Sequence, residues 1–284
     1  MFDMMVVEDK LTLTDAEFEQ ISQMVYDHCG INLHDGKKEL VRARLAKIIR
    51  QGRFESFSNY MDYVAADTTG QAFSELIDSL STNLTSFYRE SVHFDYLADK
   101  FLPELIAQKQ RSGQLRLRGW SAGCSSGEEP YTIAITLLEA LSDRARWDVK
   151  LLATDISTRI LKRAQEGVYE QERIEPVPAA LKHRYLIMHN KNGHKMFEVS
   201  NALRQIIVFK YLNLMEEWPF RGPMDFIFCR NVMIYFDKPT QQRLIDRFYQ
   251  VLAPGGALFT GHSESLTGIR HSFRYVQPTI YRKG

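Results

Sequence analysis

Apolar residues in the first hundred positions recur at helical spacing, and a strand pattern begins only after residue 110. Phe18, Ile21 and Val25 line one face of a helix opened by the capping box Thr14-Asp15-Ala16-Glu17 and stopped at Gly30. A second helix is predicted over 36–51, with Val41, Leu45, Ile48 and Ile49 as its apolar stripe. Two more are expected around Phe57–Ala66 and Gln71–Leu80, and a long amphipathic one over 91–108, marked by Phe94, Leu97, Phe101 and Leu105. Between them, 82–90 is polar but carries Phe87 and Tyr88, an aromatic pair that prefers burial. That stretch therefore reads as a segment folded over something.

From Leu115 onward strands and helices alternate. The pattern gives strand 115–121, helix 129–141, strand 149–154 and helix 157–166, the last with Ile160, Leu161 and Ala164 inward. It resumes with strands 206–211 and Met224–Cys229, helix 240–252, strand 257–260 and a hairpin over 273–281. Strands joined by helices argue for a mostly parallel sheet with both faces covered. The interruption at 168–205 holds Pro176, Pro178 and an Asn192-Gly193 turn signal, and is expected to be a small inserted β-element with a helix. The expected organisation is an all-helical N-terminal domain (1–80), a linker and long helix (81–110), and an α/β domain (111–284) containing the insertion.

Charge and cysteine content exclude several classes. Thirty-six basic residues balance 35 acidic ones, for a net charge of +1 over 284 residues. Nothing so balanced is drawn as a whole to nucleic acid or an anionic membrane. Three widely spaced cysteines, Cys29, Cys124 and Cys229, make neither a disulfide framework nor a metal box, and no metal is expected. No apolar run approaches the ~20 residues of a membrane span. Asp3, Glu8 and Asp9 interrupt the apolar N-terminus, so no export signal is read there and a cytoplasmic protein is expected. Any charge-based recognition must be local. The second helix carries Arg42, Lys47 and Arg50 away from its apolar stripe, Arg44 on the flank, and Glu39 as the only acid between Lys37 and Arg53. This is either a solvated face or a docking surface for an acidic partner.

The chemistry concentrates at strand ends. Leu115–Glu129 runs from a strand through a loop holding Gly119, Gly123 and Gly127 into a helix with Pro130 in its first turn. The next strand ends in Asp155, where a carboxylate can grip a ribose. Gly123-Cys124-Ser125-Ser126-Gly127 also fits a hydrolase nucleophile elbow, with Asp225 and His262 following in triad order. An elbow, however, follows earlier strands, and everything upstream here is helical. The other reading is S-adenosylmethionine (SAM), which has no pyrophosphate and so tolerates acids at the helix start. The glycine loop would approach the methionine part, Asp155 the ribose and Asn213 the adenine. Glu129 would either accept the ammonium or simply favour the helix dipole. Cys229–Phe236 follows the next buried strand, and a strand end needs neither Arg230 nor Asn231 for burial, which favours a site role for both. His262 is read as a structural histidine.

Taken together these segments resemble the chemoreceptor glutamate methyltransferases, the CheR family. The matching pieces are Thr82-Asn83-Leu84-Thr85 with Phe87 and Arg89-Glu90, Trp120-Ser121-Ala122 with Gly127-Glu128-Glu129-Pro130-Tyr131, Thr154-Asp155, Asn213-Leu214, the run Phe228 to Phe236, and Gly261-His262-Ser263-Glu264. The resemblance implies a class I SAM-methyltransferase sheet that esterifies glutamates on the cytoplasmic helical domain of methyl-accepting chemoreceptors, leaving S-adenosylhomocysteine. It implies cofactor contacts at Asn83, Thr85, Arg89, Glu129, Asp155, Asn213, Leu214, Asn231 and Val232, and receptor docking by Arg42, Arg44, Lys47 and Arg50. Arg89, then Tyr235, are the candidates for steering the substrate carboxylate. The insertion of some members binds a receptor tail through a Gly-x-Gly-Pro turn. Here His189-Asn190-Lys191-Asn192-Gly193-His194 lacks it, so a tail-independent enzyme is expected; a monomer is expected as well. A non-catalytic SAM-sensing scaffold is the alternative, and a hydrolase using Ser125 a more distant one.

Overall fold

The computed structural model describes residues 11–191 and 193–284; the first ten residues, used in the export-signal reading, and Asn192, used in the turn reading, lie outside them. The chain forms two compact units that divide between Ser81 and Thr82.

The first unit is helical: α1 (Asp15–Cys29), α2 (Lys38–Gly52), α3 (Phe57–Ala66) and α4 (Gln71–Leu80). The capping box at α1 is complete: Glu17 N–H donates to Thr14 Oγ1 (3.2 Å) and Thr14 N–H to Glu17 Oε2 (2.9 Å). Gly30 ends the helix at φ 72°. The α2 stripe is Val41, Leu45, Ala46 and Ile49, with Ile48 only half-buried. These pack with Phe18, Ile21, Tyr60, Met61, Leu76 and Ile77 as one small core, each at most 5 % exposed.

In the second unit, residues 82–112 are part of the core rather than a separate linker, because Phe87, Phe94, Leu97, Phe101 and Leu102 are buried within it. The long helix differs from the expectation of one regular element. It runs as α5 (Val92–Tyr96), a π-turn (Leu97–Phe101) and α6 (Leu102–Ser112). Pro103 explains the break, since its ring displaces the carbonyl one turn back and it has no N–H to donate. The strands are β1 (Arg116–Ala122), β2 (Asp148–Asp155), β3 (Val168–Glu170), β4 (Leu186–Lys191), β5 (His194–Val199), β6 (Ile207–Tyr211), β7 (Met224–Cys229), β8 (Leu252–Thr260), β9 (Phe273–Gln277) and β10 (Ile280–Lys283). Seven form one sheet in the order β6-β2-β1-β7-β8-β10-β9, parallel from β6 to β8 with β10 antiparallel to both neighbours. Every residue of β7 is buried, as a strand covered on both faces requires. Gly119 in β1 is needed for close packing, since a Cβ there would lie 2.2 Å from the Phe226 ring.

The covering helices are α7 (Glu128–Ala140), α8 (Thr158–Glu166), α9 (Ala179–Tyr185), α10 (Asn201–Arg204) and α11 (Lys238–Val251). The interruption between β2 and β6 is a three-stranded antiparallel sheet, β3-β5-β4, together with α9. Its edge strand β4 exposes Ile187 and Met188. Strand order turns outward in both directions from β1 and β7, so the crevice between their carboxyl ends is where such a sheet receives a ligand.

Candidate active site

Loops leave the carboxyl edge of the sheet after β1, β2, β6, β7 and β8, and their hydrogen bonds tie them to one another. After β1, Gly123 N–H and Cys124 N–H both donate to the Thr154 carbonyl of β2 (2.8 and 2.9 Å). Gly123 sits at φ +89°, and a Cβ on it would come within 2.3 Å of Val232 Cγ2 in the loop after β7. Ser125, at φ 49°, donates its N–H to Asp155 Oδ2 (2.8 Å) and its hydroxyl to the Asn83 carbonyl (3.1 Å). Asp155 Oδ1 accepts from Ser157 N–H (3.0 Å). An ionised carboxylate is an acceptor-only group, of the kind to which a ribose diol would donate.

Glu129, in the first turn of α7, is buried. Its Oε1 accepts from the Ser121 hydroxyl (2.7 Å) and its Oε2 from Arg230 Nη1 (3.1 Å). Burial pushes this carboxyl above the usual range, while Arg230 and Ser121 pull it back. The loop 82–91 is anchored by Phe87, packed edge-on to Tyr169 at 5.0 Å. Arg89 donates to the Leu84 carbonyl (2.7 Å), and Thr85 O accepts from Arg173 (3.1 Å). Arg230 closes the network: its Nη2 donates to the Arg89 carbonyl and lies 3.0 Å from Glu90 Oε2. Glu90, though burial works the other way, is held below the usual carboxylate range by that guanidinium.

Asn231 (φ 59°) and Val232 are fixed by an acid from the loop after β8. Glu264 Oε2 accepts from Asn231 N–H (2.7 Å) and Gly261 N–H (2.6 Å), and its Oε1 from Ile234 N–H (3.1 Å). Burial raises this carboxyl, and these N–H groups oppose the rise. In the sequence Glu264 stands within a matching motif but without a role of its own; an acid three residues beyond a strand-end glycine was the available signal. Glu90 was missed in the same way. Tyr235 is half-buried in the 3₁₀ turn Met233–Tyr235 of this loop. After β6, Asn213 is buried, but its amide closes a local turn, accepting from Met215 N–H (3.0 Å) and donating to Glu216 (3.2 Å). Leu214 follows it, also buried. The β6 end joins the site through Leu212 N–H, which donates to the Asp155 carbonyl (3.1 Å).

The hydrolase triad is not assembled. Asp225, at the opposite end of β7, pairs with Lys109 (2.7 Å) and accepts from Arg118 N–H (2.7 Å). Ser125 is engaged with Asn83 as described. His262 is exposed, with its Nε2 3.8 Å from Glu90. His93 is fully buried, its Nε2 2.8 Å from Thr279 Oγ1, and burial together with Arg230 drives its pKa down to about 3. Cys124 and Cys229 are buried, and burial pushes both thiols up, which leaves them inert.

The basic row of α2 divides into two kinds of residue. Lys47 and Arg50 are exposed, Arg42 pairs with Glu39 (2.8 Å), and half-buried Arg44 donates to the Leu80 carbonyl at the end of α4. Arg44 thus caps a helix within its own unit, a structural role that its place on the flank of the stripe did not reveal.

The donor set discriminates between ligands. A free helix N-terminus would attract a phosphate. Here Glu128 and Glu129 occupy the first turn of α7 and are buried there. Two acids in that place repel a pyrophosphate and suit a ligand bearing an ammonium. With the Asp155 carboxylate at the end of β2, where a ribose would lie, the residues fit SAM, and the fold and site define a class I SAM-dependent methyltransferase.

Comparison with known proteins agrees. Residues 83–282 match the family model "CheR methyltransferase, SAM binding domain", and residues 16–81 match "CheR methyltransferase, all-alpha domain". A chemotaxis protein methyltransferase of Borreliella burgdorferi is 42% identical over 275 residues, covering 96% of each chain. Chemotaxis protein methyltransferase 2 of Pseudomonas aeruginosa is 42% identical over 94% of this chain and 93% of its own. The chemotaxis protein methyltransferase of Escherichia coli is 38% identical over 96% and 92%. The chain belongs to the CheR methyltransferase family. Among the described residues no helix is long and apolar enough to cross a membrane.

Proposed function

We propose that the chain, acting in the cytoplasm as a monomer, transfers the methyl group of SAM to glutamate side chains on the helical cytoplasmic domain of chemoreceptors, forming methyl esters. When bound, the cofactor supplies a sulfonium-activated methyl group, and S-adenosylhomocysteine is the product. A glutamate carboxylate is already ionised at neutral pH and is its own nucleophile, so the protein need not supply a strong base. Its task is to align two oppositely charged reactants and keep water from stabilising them apart. Glu129 receives the ammonium of the cofactor and Asp155 its ribose hydroxyls, with Asn83, Thr85, Asn213, Leu214, Asn231 and Val232 framing the rest. Arg89 orients the substrate carboxylate, with Tyr235 assisting. Lys47 and Arg50 of α2, with Arg42, meet the acidic receptor surface.

The observation that carries this reading is the bonding of the Arg89 backbone to the Glu129 carboxylate through one guanidinium. It ties the backbone of the residue proposed for the substrate to the carboxylate proposed for the cofactor, which supports reading both as parts of one site. Incubation with methyl-labelled SAM and receptor-rich membranes tests it. Label should enter the receptor and be released by mild alkali as methanol, as an ester requires. Cofactor binding without incorporation would indicate a sensing scaffold, and alkali-stable label a different acceptor. We further propose that methylation is independent of a receptor tail, on the ground that 189–194 lacks the Gly-x-Gly-Pro turn. Tight tail-dependent capture in a pull-down would overturn that.

A further inference from the structure

Arg230 makes no proposed contact with cofactor or substrate, yet its side chain is 2% exposed and reaches three groups on two separate elements. Nη1 donates to Glu129 on α7, while Nη2 donates to the Arg89 carbonyl and sits beside Glu90 on the 82–91 loop. Its guanidinium lies 5.4 Å from the Phe94 ring and 6.0 Å from that of Phe228. An apolar residue would pack against such rings without the cost of taking a charge out of water. Its Nε–H, moreover, has no partner among the described residues, so hydrogen-bond satisfaction alone does not account for the residue. The charges around it are uneven. Glu90 and Glu129 share one guanidinium, and buried His93 is neutral at physiological pH, so with both acids ionised their charges exceed that of Arg230 by one, which an ammonium would balance.

We propose that Arg230 is a positioning residue that holds the Glu129 carboxylate and the Arg89 backbone with a single guanidinium, aligning the methyl donor and the substrate carboxylate by the same group. This rests on the reading of the site given above. Only arginine has the planar fork needed to reach acceptors in both directions; a lysine ammonium supplies the charge but is a point donor on a flexible stem. The backbone it grips is special as well: Tyr88 and Glu90 flank Arg89 at φ 55° and 58°, a conformation that side chains rarely adopt unless held.

The groups facing Arg230 are Glu129, Glu90, His93 and His262, and Glu129 in turn faces Ser121 and the buried thiols of Cys124 and Cys229. Burial already favours the protonated form of Glu129, and Arg230 is the charge that opposes it. Without that charge, Glu129 must lose a proton to receive an ammonium, so cofactor affinity should become pH-dependent.

The experiment is calorimetry of S-adenosylhomocysteine on the full chain from pH 6 to 7.5, with methyl-transfer kinetics alongside. The ratio of variant to wild-type Kd cancels the titration of the ligand itself. For Arg230→Gln the ratio should be about tenfold or more at pH 6 and shrink as pH rises, each tenfold corresponding to about 1.4 kcal/mol between the two protonation states of the carboxyl. Adding His262→Gln should leave that slope in place, which separates Glu129 from the imidazole. Arg230→Lys should restore affinity and flatten the ratio while kcat stays low, because the Arg89 backbone is no longer held. Should Arg230→Gln fail to fold, Arg230→Lys carries the test alone: it keeps the charge beside Glu129 but not the fork that holds the Arg89 carbonyl, so affinity is kept and kcat falls. A pH-flat ratio in folded Arg230→Gln, or an Arg230→Lys enzyme with full kcat, would overturn the proposal. Wild-type protein that binds no cofactor would instead end the reading beneath it.

Discussion

The two arginine-bearing regions of this molecule use the same charge in opposite ways. On α2, Lys47 and Arg50 stand in solvent, where a single ion pair is worth about 0–1 kcal/mol and salt screens it. At the sheet edge Arg230 is buried between two carboxylates, where removing one partner of such a pair costs roughly 3–5 kcal/mol. Exposed charge suits encounter with a partner that must leave again. Buried charge suits a geometry that must not change between turnovers. Even within α2 the distinction appears, since Arg44 is spent on the Leu80 carbonyl while its neighbours on the row face outward.

The largest effect should come from the buried side. Asp155→Ala removes the acceptor for Ser125 N–H and Ser157 N–H together with the proposed ribose contacts. At roughly 1.5–3 kcal/mol per charge-assisted hydrogen bond, S-adenosylhomocysteine affinity should fall about 100-fold or more, measured by calorimetry. Arg89→Ala comes next. Its backbone link to Arg230 survives, so cofactor affinity should change little more than a few-fold while kcat drops about 100-fold, a loss on the scale of misaligned reactants. Normal turnover in that variant would remove Arg89 from the chemistry.

His93 sharpens the comparison through pH. Its folded pKa, about 3, lies below the unfolded value near 6.5, so acidification loads a proton onto the unfolded chain first. Stability is therefore intact above pH 6.5 and lost as pH falls toward 3. Between pH 7 and 5 this one group should cost about 2 kcal/mol by linkage. Denaturant melts of His93→Gln, which can still bond to Thr279, should show that slope reduced; an unchanged slope would place the proton elsewhere. The smallest effects belong to α2. Lys47→Glu and Arg50→Glu should each slow receptor methylation about two- to fivefold at low salt, with less effect at high salt and none on cofactor affinity. Arg44→Ala should lower the melting temperature of the helical unit instead. If all three behave alike in the methylation assay, the division of the row is wrong.

What could be read from the chain alone follows from how local each signal is. Phe57–Ala66, Gln71–Leu80 and Met224–Cys229 follow the expected bounds because period and flanking turns are written within ten residues. The strand, glycine loop and helix of 115–140, and Asp155 at the end of β2, are likewise written in short stretches. The π-turn at Leu97–Phe101 was obscured because a proline inside a helix pattern can stop, kink or widen it. Arg230's bonds span 101 and 141 residues, and Glu264's span 33 and 30, so no window along the chain brings those partners together. Asn213 shows the converse limit. An asparagine after a strand can close its own turn as well as face a ligand, and its position alone does not show the turn that Asn213 closes with Met215.

One titration bears most directly on the account: S-adenosylhomocysteine into the folded wild-type chain. Heat from one molecule bound per chain is the expected result, since the glycine loop, Asp155 and Glu129 are joined into a single edge of the sheet. No heat from protein whose circular dichroism shows it folded would contradict the account.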